Sequence, residues 1–173
     1  MLVGGCTSAA GDRPDGSPTP ITLPPRPHEL RIDGVEPCSL LTPEQRIELG
    51  LDQRADPFVD ESRLYGGPVP SCLFQARSPR AATVSTRVVT TVGVERFLDS
   101  DVEAELRSST ANGYPAIIAL PKRAQDYCSV IIDVASSQLI AVLYRDVALP
   151  PPIPQEELCA DAVRVASAAT QTL

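Results

Sequence analysis

The sequence has no tryptophan and a single histidine, and aromatic residues fill only 4% of its positions. A core without aromatic bulk must be packed with Val, Leu, Ile and Ala, and a hydrophobic content of 43% supplies them. The lone His28 falls in a Pro-rich stretch expected to be mobile. A general base needs a fixed position and a tuned pKa, so Ser-His-Asp and Cys-His catalysis are excluded, as are histidine-based metal sites. Lys122 is the only lysine among 15 basic residues. A Ser–Lys dyad would depend on it, and a residue following Pro121 at a strand end reads more simply as a solvated loop lysine. There is no Cys-x-x-Cys pair, phosphate-binding Gly loop or calcium-loop spacing. Gly66-Gly67 has no helix behind it and reads as a turn. No apolar run approaches the ~18–20 residues of a membrane span. Positive charge is short as well: 22 acidic residues against 15 basic ones leave a net charge of −7, which disfavours nucleic-acid backbones as partners.

What is present begins at the amino terminus. Val3-Gly4-Gly5-Cys6 fits a bacterial lipobox: an aliphatic residue, two small residues beside the scissile bond, then the cysteine whose thiol takes the lipid. Residues 1–6 are read as the remnant of a lipoprotein signal peptide. Five residues are too few for the basic and apolar regions of an export signal, so export requires further residues upstream of Met1. From Thr7 to Leu30 there are six prolines in 24 residues, mixed with Gly, Ser, Thr and Asp. Such a stretch has too little apolar surface to offset its ordering entropy. Residues 7–36 are therefore expected to form a disordered tether, with residues 37–173 as a single domain. The expected location is the extracytoplasmic side of the cell membrane, held there through the lipid on Cys6.

Four further cysteines, Cys38, Cys72, Cys128 and Cys159, make an even set, which in an exported protein reads as disulfides. Cys128, Val130, Ile132 and Val134 alternate onto one strand face. Leu158, Ala162, Val165 and Ala169 recur at helical spacing, with Cys159 on the adjoining side. A cysteine on a buried strand face and one on the buried side of the last helix can meet. Cys72 alternates with Phe74 and Ala76, and Cys38 sits just before the first helix. The expected pairs are Cys38–Cys72 and Cys128–Cys159; buried reduced thiols remain the alternative for a cytosolic protein.

Thr42-Pro43-Glu44-Gln45 predicts a capped helix start, closed at Leu49-Gly50. Residues 51–69 read as loop. Strands are predicted over 71–77, 82–92, 114–120, 127–135 and 138–145, a second helix within 94–108, and a final helix over 155–170. Asn112-Gly113 and Ser136-Ser137 read as turns. Leu139 to Leu143 is apolar on both faces and should lie centrally. The predicted architecture is α+β: an antiparallel sheet of about five strands with helices packed on one face, stapled by two disulfides.

Several of these segments together resemble a known family. A lipobox and Pro-rich tail, Pro-Cys-Ser-Leu-Leu-Thr-Pro-Glu at 37–44 with Leu49-Gly50, a second cysteine at Cys72, Gly-Tyr-Pro-Ala at 113–116, Cys-Ser-Val-Ile-Ile-Asp-Val at 128–134 and Leu-Cys-Ala-Asp-Ala-Val-Arg-Val-Ala at 158–166 are similar to the actinobacterial lipoproteins called domain of unknown function 3558. The family commonly has an aromatic residue, usually Trp, two positions after the second cysteine; here it is Phe74. The resemblance implies a surface lipoprotein with paired disulfides and no known activity.

Two function classes follow. In the first the domain is a binding or interaction module at the cell envelope, needing no cofactor, whose partner is an envelope protein, a glycan or a small apolar ligand. In the second it is an envelope hydrolase built on carboxylates alone. The only candidates for the second, Asp99, Asp101, Glu103 and Glu105, crowd one predicted helix start, where acids favour the helix dipole and face solvent. No catalytic residue is assigned, and the binding reading is preferred.

Overall fold

The computed structural model describes residues 21–98 and 102–173. Seven strands form one sheet in the order β1-β2-β3-β7-β6-β5-β4: β1 (Asp56–Asp60), β2 (Val69–Ala76), β3 (Ala82–Val89), β4 (Ala104–Ala111), β5 (Tyr114–Pro121), β6 (Tyr127–Ala135) and β7 (Gln138–Asp146). Every neighbouring pair is antiparallel. β7 is the central strand, as its two-sided apolar pattern required. Three helices accompany the sheet: α1 (Pro43–Glu48), α2 (Glu95–Leu98) and α3 (Gln155–Gln171). None of the described helices is long and apolar enough to cross a membrane.

The local signals at α1 are realised atom by atom. The Thr42 hydroxyl accepts from the Gln45 amide at 3.2 Å, and the Gln45 side chain accepts from the Thr42 amide at 2.9 Å, which satisfies two orphan donors of the first turn. The Gln45 side-chain amide also donates to the Ala168 carbonyl at 3.0 Å, tying α1 to α3. Asn112 (φ 48°) and Gly113 (φ 83°) form the β4–β5 turn, and Ser137 (φ 56°) closes the β6–β7 hairpin.

The count of about five strands is corrected to seven. The loop expected at 51–69 contains β1, and among the described residues of the helix expected within 94–108 only α2 is helical, with β4 taking up the later part. Both extra strands are sheet edges. Phe58 and Val59 of β1 are 38% and 58% exposed, and Glu105 and Arg107 of β4 project into solvent. An edge strand has only one neighbour to exclude water, so its sequence escapes the alternation that marks the inner strands.

The first face of the sheet carries the larger core. Phe74, Val84, Ile132, Ile140 and Val142 meet Leu158, Ala162, Val165 and Ala169 of α3, together with Leu40, Leu41 and Leu51 from the region around α1. Both disulfides lie on this side. Cys38, in a 3-10 turn over Pro37–Leu40, joins Cys72 of β2 with Cα atoms 5.0 Å apart, and Cys128 of β6 joins Cys159 of α3 at 5.1 Å.

Helices on one face is the second correction. The other face bears its own core, with Val89, Ile117, Ile131 and Leu139 from the strands beneath Tyr65, Val94 and Phe97. Tyr65 belongs to a 3-10 turn over Arg63–Tyr65, and Phe97 to α2. These two short elements form a cap over part of the second face.

A third difference concerns the tether. Protein contacts begin well before Pro37: Arg26 pairs with Asp133 at 2.5 Å, the Leu30 amide donates to the Val134 carbonyl at 2.8 Å, and Ile32 is fully buried. Gln138 holds this arm in place, its side-chain oxygen accepting from the Ile32 amide at 2.9 Å and its nitrogen donating to Asp33 at the same distance. Proline content suggested an unanchored chain; isolated apolar residues between the prolines give it footholds instead.

The β7–α3 connection hangs on one carboxylate. Asp146, with a side chain 5% exposed, accepts two bonds from Arg80 and one each from the Ala148 and Ile153 amides at 3.0 and 3.1 Å. The Arg80 hydrogen bond, helped by the two amides, lowers its pKa to about 2. Because the folded-state value is depressed, this group stabilises the fold fully above its ordinary range near 3.8. That contribution fades as pH falls from about 4 through about 2. Asp146→Asn is expected to cost about 1–2 kcal/mol at neutral pH, allowing for solvent screening. Urea unfolding should show the gap to wild type narrowing between pH 4 and 2; a pH-independent gap would contradict this account.

Candidate functional site

Of the residues marked by the sequence, Cys6, Asp99 and Asp101 lie outside the described residues. Glu103 and Glu105 are not on a helix: Glu105 is in β4 and Glu103 immediately precedes it. Each has its own arginine, Glu103 with Arg123 at 3.3 Å and Glu105 with Arg107 at 2.7 Å, and both carboxylates are more than half exposed. They do not converge on a common point. Lys122 is exposed on the loop after β5. His28 is held rather than mobile: its Nε2 lies 2.7 Å from the Tyr114 hydroxyl, with the rings edge to face at 5.5 Å. It belongs to the docked arm, and among the described residues no group of three or more His, Cys, Asp or Glu is placed to hold a metal.

The feature that does concentrate chemistry is on the second face, where the cap overhangs the sheet without filling it. Strand register puts small residues side by side there: Ala119 of β5 stands opposite Ser129 of β6, and Ala104 of β4 stands opposite Pro121 of β5. Leu64 and Tyr65 come down from one part of the cap and Phe97 from another, Tyr65 and Phe97 having ring centroids 6.1 Å apart. Between them lies a partly enclosed cavity of about 210 Å³, closed at the sides by Val102, Ile131 and Tyr127. Such a hollow, apolar with a few polar groups, is the usual form of a ligand site, though smaller than most. The groove between α1 and α3 is wider but open and lined by Gln45, Glu48, Arg164 and Gln171, so it offers water little reason to leave.

A buried ion pair supports the cavity from behind. Arg87 of β3 is 9% exposed; its Nε donates to Asp60 of β1 at 2.5 Å and its Nη1 to Ser85 at 2.9 Å. Burial works against charge on Asp60, yet hydrogen bonds from Arg87 and from the Ser62 amide hold its carboxyl below the ordinary range. The Arg87 guanidinium lies over the Tyr65 ring, 5.6 Å from its centroid. Burial pushes the Tyr65 phenol up, so it is a neutral donor at physiological pH. At the opposite wall Arg145 lies over the Tyr127 ring at 5.0 Å and pairs with Asp126 at 3.3 Å. The cavity thus has two tyrosines, each with an arginine over its ring.

None of these residues stands out in the sequence. The pairing of Arg87 with Asp60 depends on β1, which falls in the stretch expected to be loop. One signal was available: in a chain with four Tyr and three Phe, an aromatic at Tyr65 inside an apparent loop suggests a buried anchor.

No curated protein and no solved structure matches the chain. The family model described as "Protein of unknown function (DUF3558)" matches residues 1–172, and the chain belongs to that family.

Proposed function

We propose that this protein is a lipid-anchored binding module on the extracytoplasmic side of the cell membrane, which holds a small apolar ligand in the second-face cavity and catalyses no reaction. The single observation that carries the reading is that cavity: apolar walls from Leu64, Phe97 and Ile131, with Tyr65, Tyr127 and Ser129 as the polar groups that would orient a guest. Two disulfides suit an oxidising compartment, and Val3-Gly4-Gly5-Cys6 supplies the attachment point for a lipid.

The test uses the full chain recovered from the membranes of its host. Mass spectrometry of the amino-terminal peptide should show an acylated Cys6, and native mass spectrometry should show a non-covalent small-molecule adduct. Ala119→Phe, which fills the cavity at a cost of about 1–3 kcal/mol from overpacking, should abolish the adduct while the protein stays folded by circular dichroism. An unmodified Cys6 would refute the anchor. An adduct that survives Ala119→Phe would place binding elsewhere. Turnover of cell-wall fragments lost in Glu103→Gln would replace the binding reading with the carboxylate-hydrolase alternative.

A further inference from the structure

Three properties of the cavity restrict its guest. The first is shape. The small residues Ser129, Ala119, Pro121 and Ala104 make a trough crossing β6, β5 and β4, roughly 10 Å at the usual strand spacing. A trough running across strands accepts a narrow linear group. Its 210 Å³ equals about seven water volumes, or an acyl group of roughly six carbons at a similar volume per carbon.

The second is charge. The arginines over the two tyrosine rings each have a carboxylate, Arg87 with Asp60 and Arg145 with Asp126, and Arg123 pairs with Glu103. Among the described residues lining the cavity Glu103 is the only charged one, so an anionic guest would face a carboxylate. A neutral guest is favoured.

The third is hydrogen bonding. Tyr65 and Tyr127 both line the cavity. Among the described residues neither phenol bonds to a protein group, and the Tyr65 oxygen keeps access to solvent although the residue is only 8% exposed, since Arg46 Nε alone is sealed without a partner. A phenol open to the cavity can exchange a water for a guest's acceptor, and the arginine over each ring draws electron density from it and strengthens it as a donor.

We infer that the guest is a neutral acyl group, an ester or amide of a short or chain-terminal segment, with its chain in the trough and its carbonyl oxygen accepting from the phenols of Tyr65 and Tyr127. This rests on the binding reading above and adds the ligand class to it. The experiment is titration of the full chain with methyl hexanoate, heptane and hexanoate, followed by NMR chemical shifts of Ala104 and Ala119. Wild type should bind the ester more tightly than heptane or the hexanoate anion. Tyr127→Phe and Tyr65→Phe, each removing one oxygen, should weaken ester binding about five- to tenfold and leave heptane binding unchanged. Tyr127 is at the rim, so its variant reports even if Tyr65→Phe fails to fold. Equal binding of ester and heptane with no effect of Tyr127→Phe would overturn the acyl assignment and leave cavity binding intact. Tighter binding of hexanoate would overturn the neutral guest. Failure of every probe to bind wild type would remove both the assignment and the cavity reading.

Discussion

Replacing Cys128 and Cys159 together by alanine is expected to lower the unfolding free energy by about 3.5–4 kcal/mol, the loop-entropy value for roughly thirty residues. The sequence separation is 31, against 34 for Cys38–Cys72. Chain entropy alone therefore predicts nearly equal losses for the two bonds. They differ in what each holds. Cys159 ties α3 to β6 in the middle of the larger core, where Leu158, Ala162 and Ala166 are fully buried. Cys38 ties down only a short turn. Alanine is the right replacement because Cys128 and Cys159 are 0% and 4% exposed, and a serine hydroxyl would be buried without a designed partner. Urea unfolding of the two double variants measures both losses, and in a chain of this size the midpoint in a thermal scan should fall by about 10 °C. A loss below about 1 kcal/mol would mean that the unfolded chain is already compact enough for the cross-link to constrain little.

Phe74→Ala is expected to cost about 3–5 kcal/mol, the range for emptying a buried aromatic site. Phe74 is the largest fully buried side chain of the first face and lies one strand from the sheet edge. The Arg46 guanidinium of α1 lies over its ring at 5.7 Å, with its Nη2 donating to the Gln53 carbonyl at 2.6 Å. Truncation therefore opens a cavity and also strips the support from a half-buried guanidinium whose sealed Nε already lacks a partner among the described residues. Phe74→Leu keeps most of the volume and should cost less, about 1–1.5 kcal/mol. If both variants unfold at the same denaturant concentration as wild type, the first-face core does not depend on this position, and the packing described for α1 is wrong.

How much of this architecture was legible in the sequence depends on how local the governing interactions are. The capping box at Thr42 and Gln45, the β6–β7 hairpin at Ser136-Ser137 and the apolar stripe of α3 each lie within a few residues of their partners, and each was readable. The disulfide pairs were readable too, because alternation in β2 and β6 assigns Cys72 and Cys128 to the buried face. β1 and β4 were not, since an edge strand is wetted and its polar side chains blur the two-residue period. A better signal for β4 was present: Asn112-Gly113 is a hairpin turn, and a hairpin needs a strand before the turn as well as after it. The cavity was the least legible feature. It joins Tyr65, Phe97 and three strands across more than sixty residues, and its partnership of Arg87 with Asp60 has no local sequence expression. The same is true of His28, whose position depends on Tyr114 on a distant strand.

The arrangement of the amino-terminal arm and the first disulfide sets how the domain responds to load. A pull on the amino terminus would first peel residues 21–37 from the sheet, breaking the Arg26–Asp133 pair and the Leu30–Val134 bond in turn. That slack amounts to about 60 Å at roughly 3.5 Å per residue. Peeling then stops at a covalent junction, because Cys38 is bonded to Cys72. From there the force is delivered to the middle of β2, a strand flanked by β1 and β3. The load becomes a sideways draw on a strand paired along both edges, and α3, bolted to β6 through Cys159, cannot be shed to relieve it. A mechanically compliant arm is thus followed by a stiff stop. The second-face cluster beside the cavity shares in the first stage, because Leu23 of the arm packs against it, whereas β4, β5 and β6 lie away from β2, where the later load arrives.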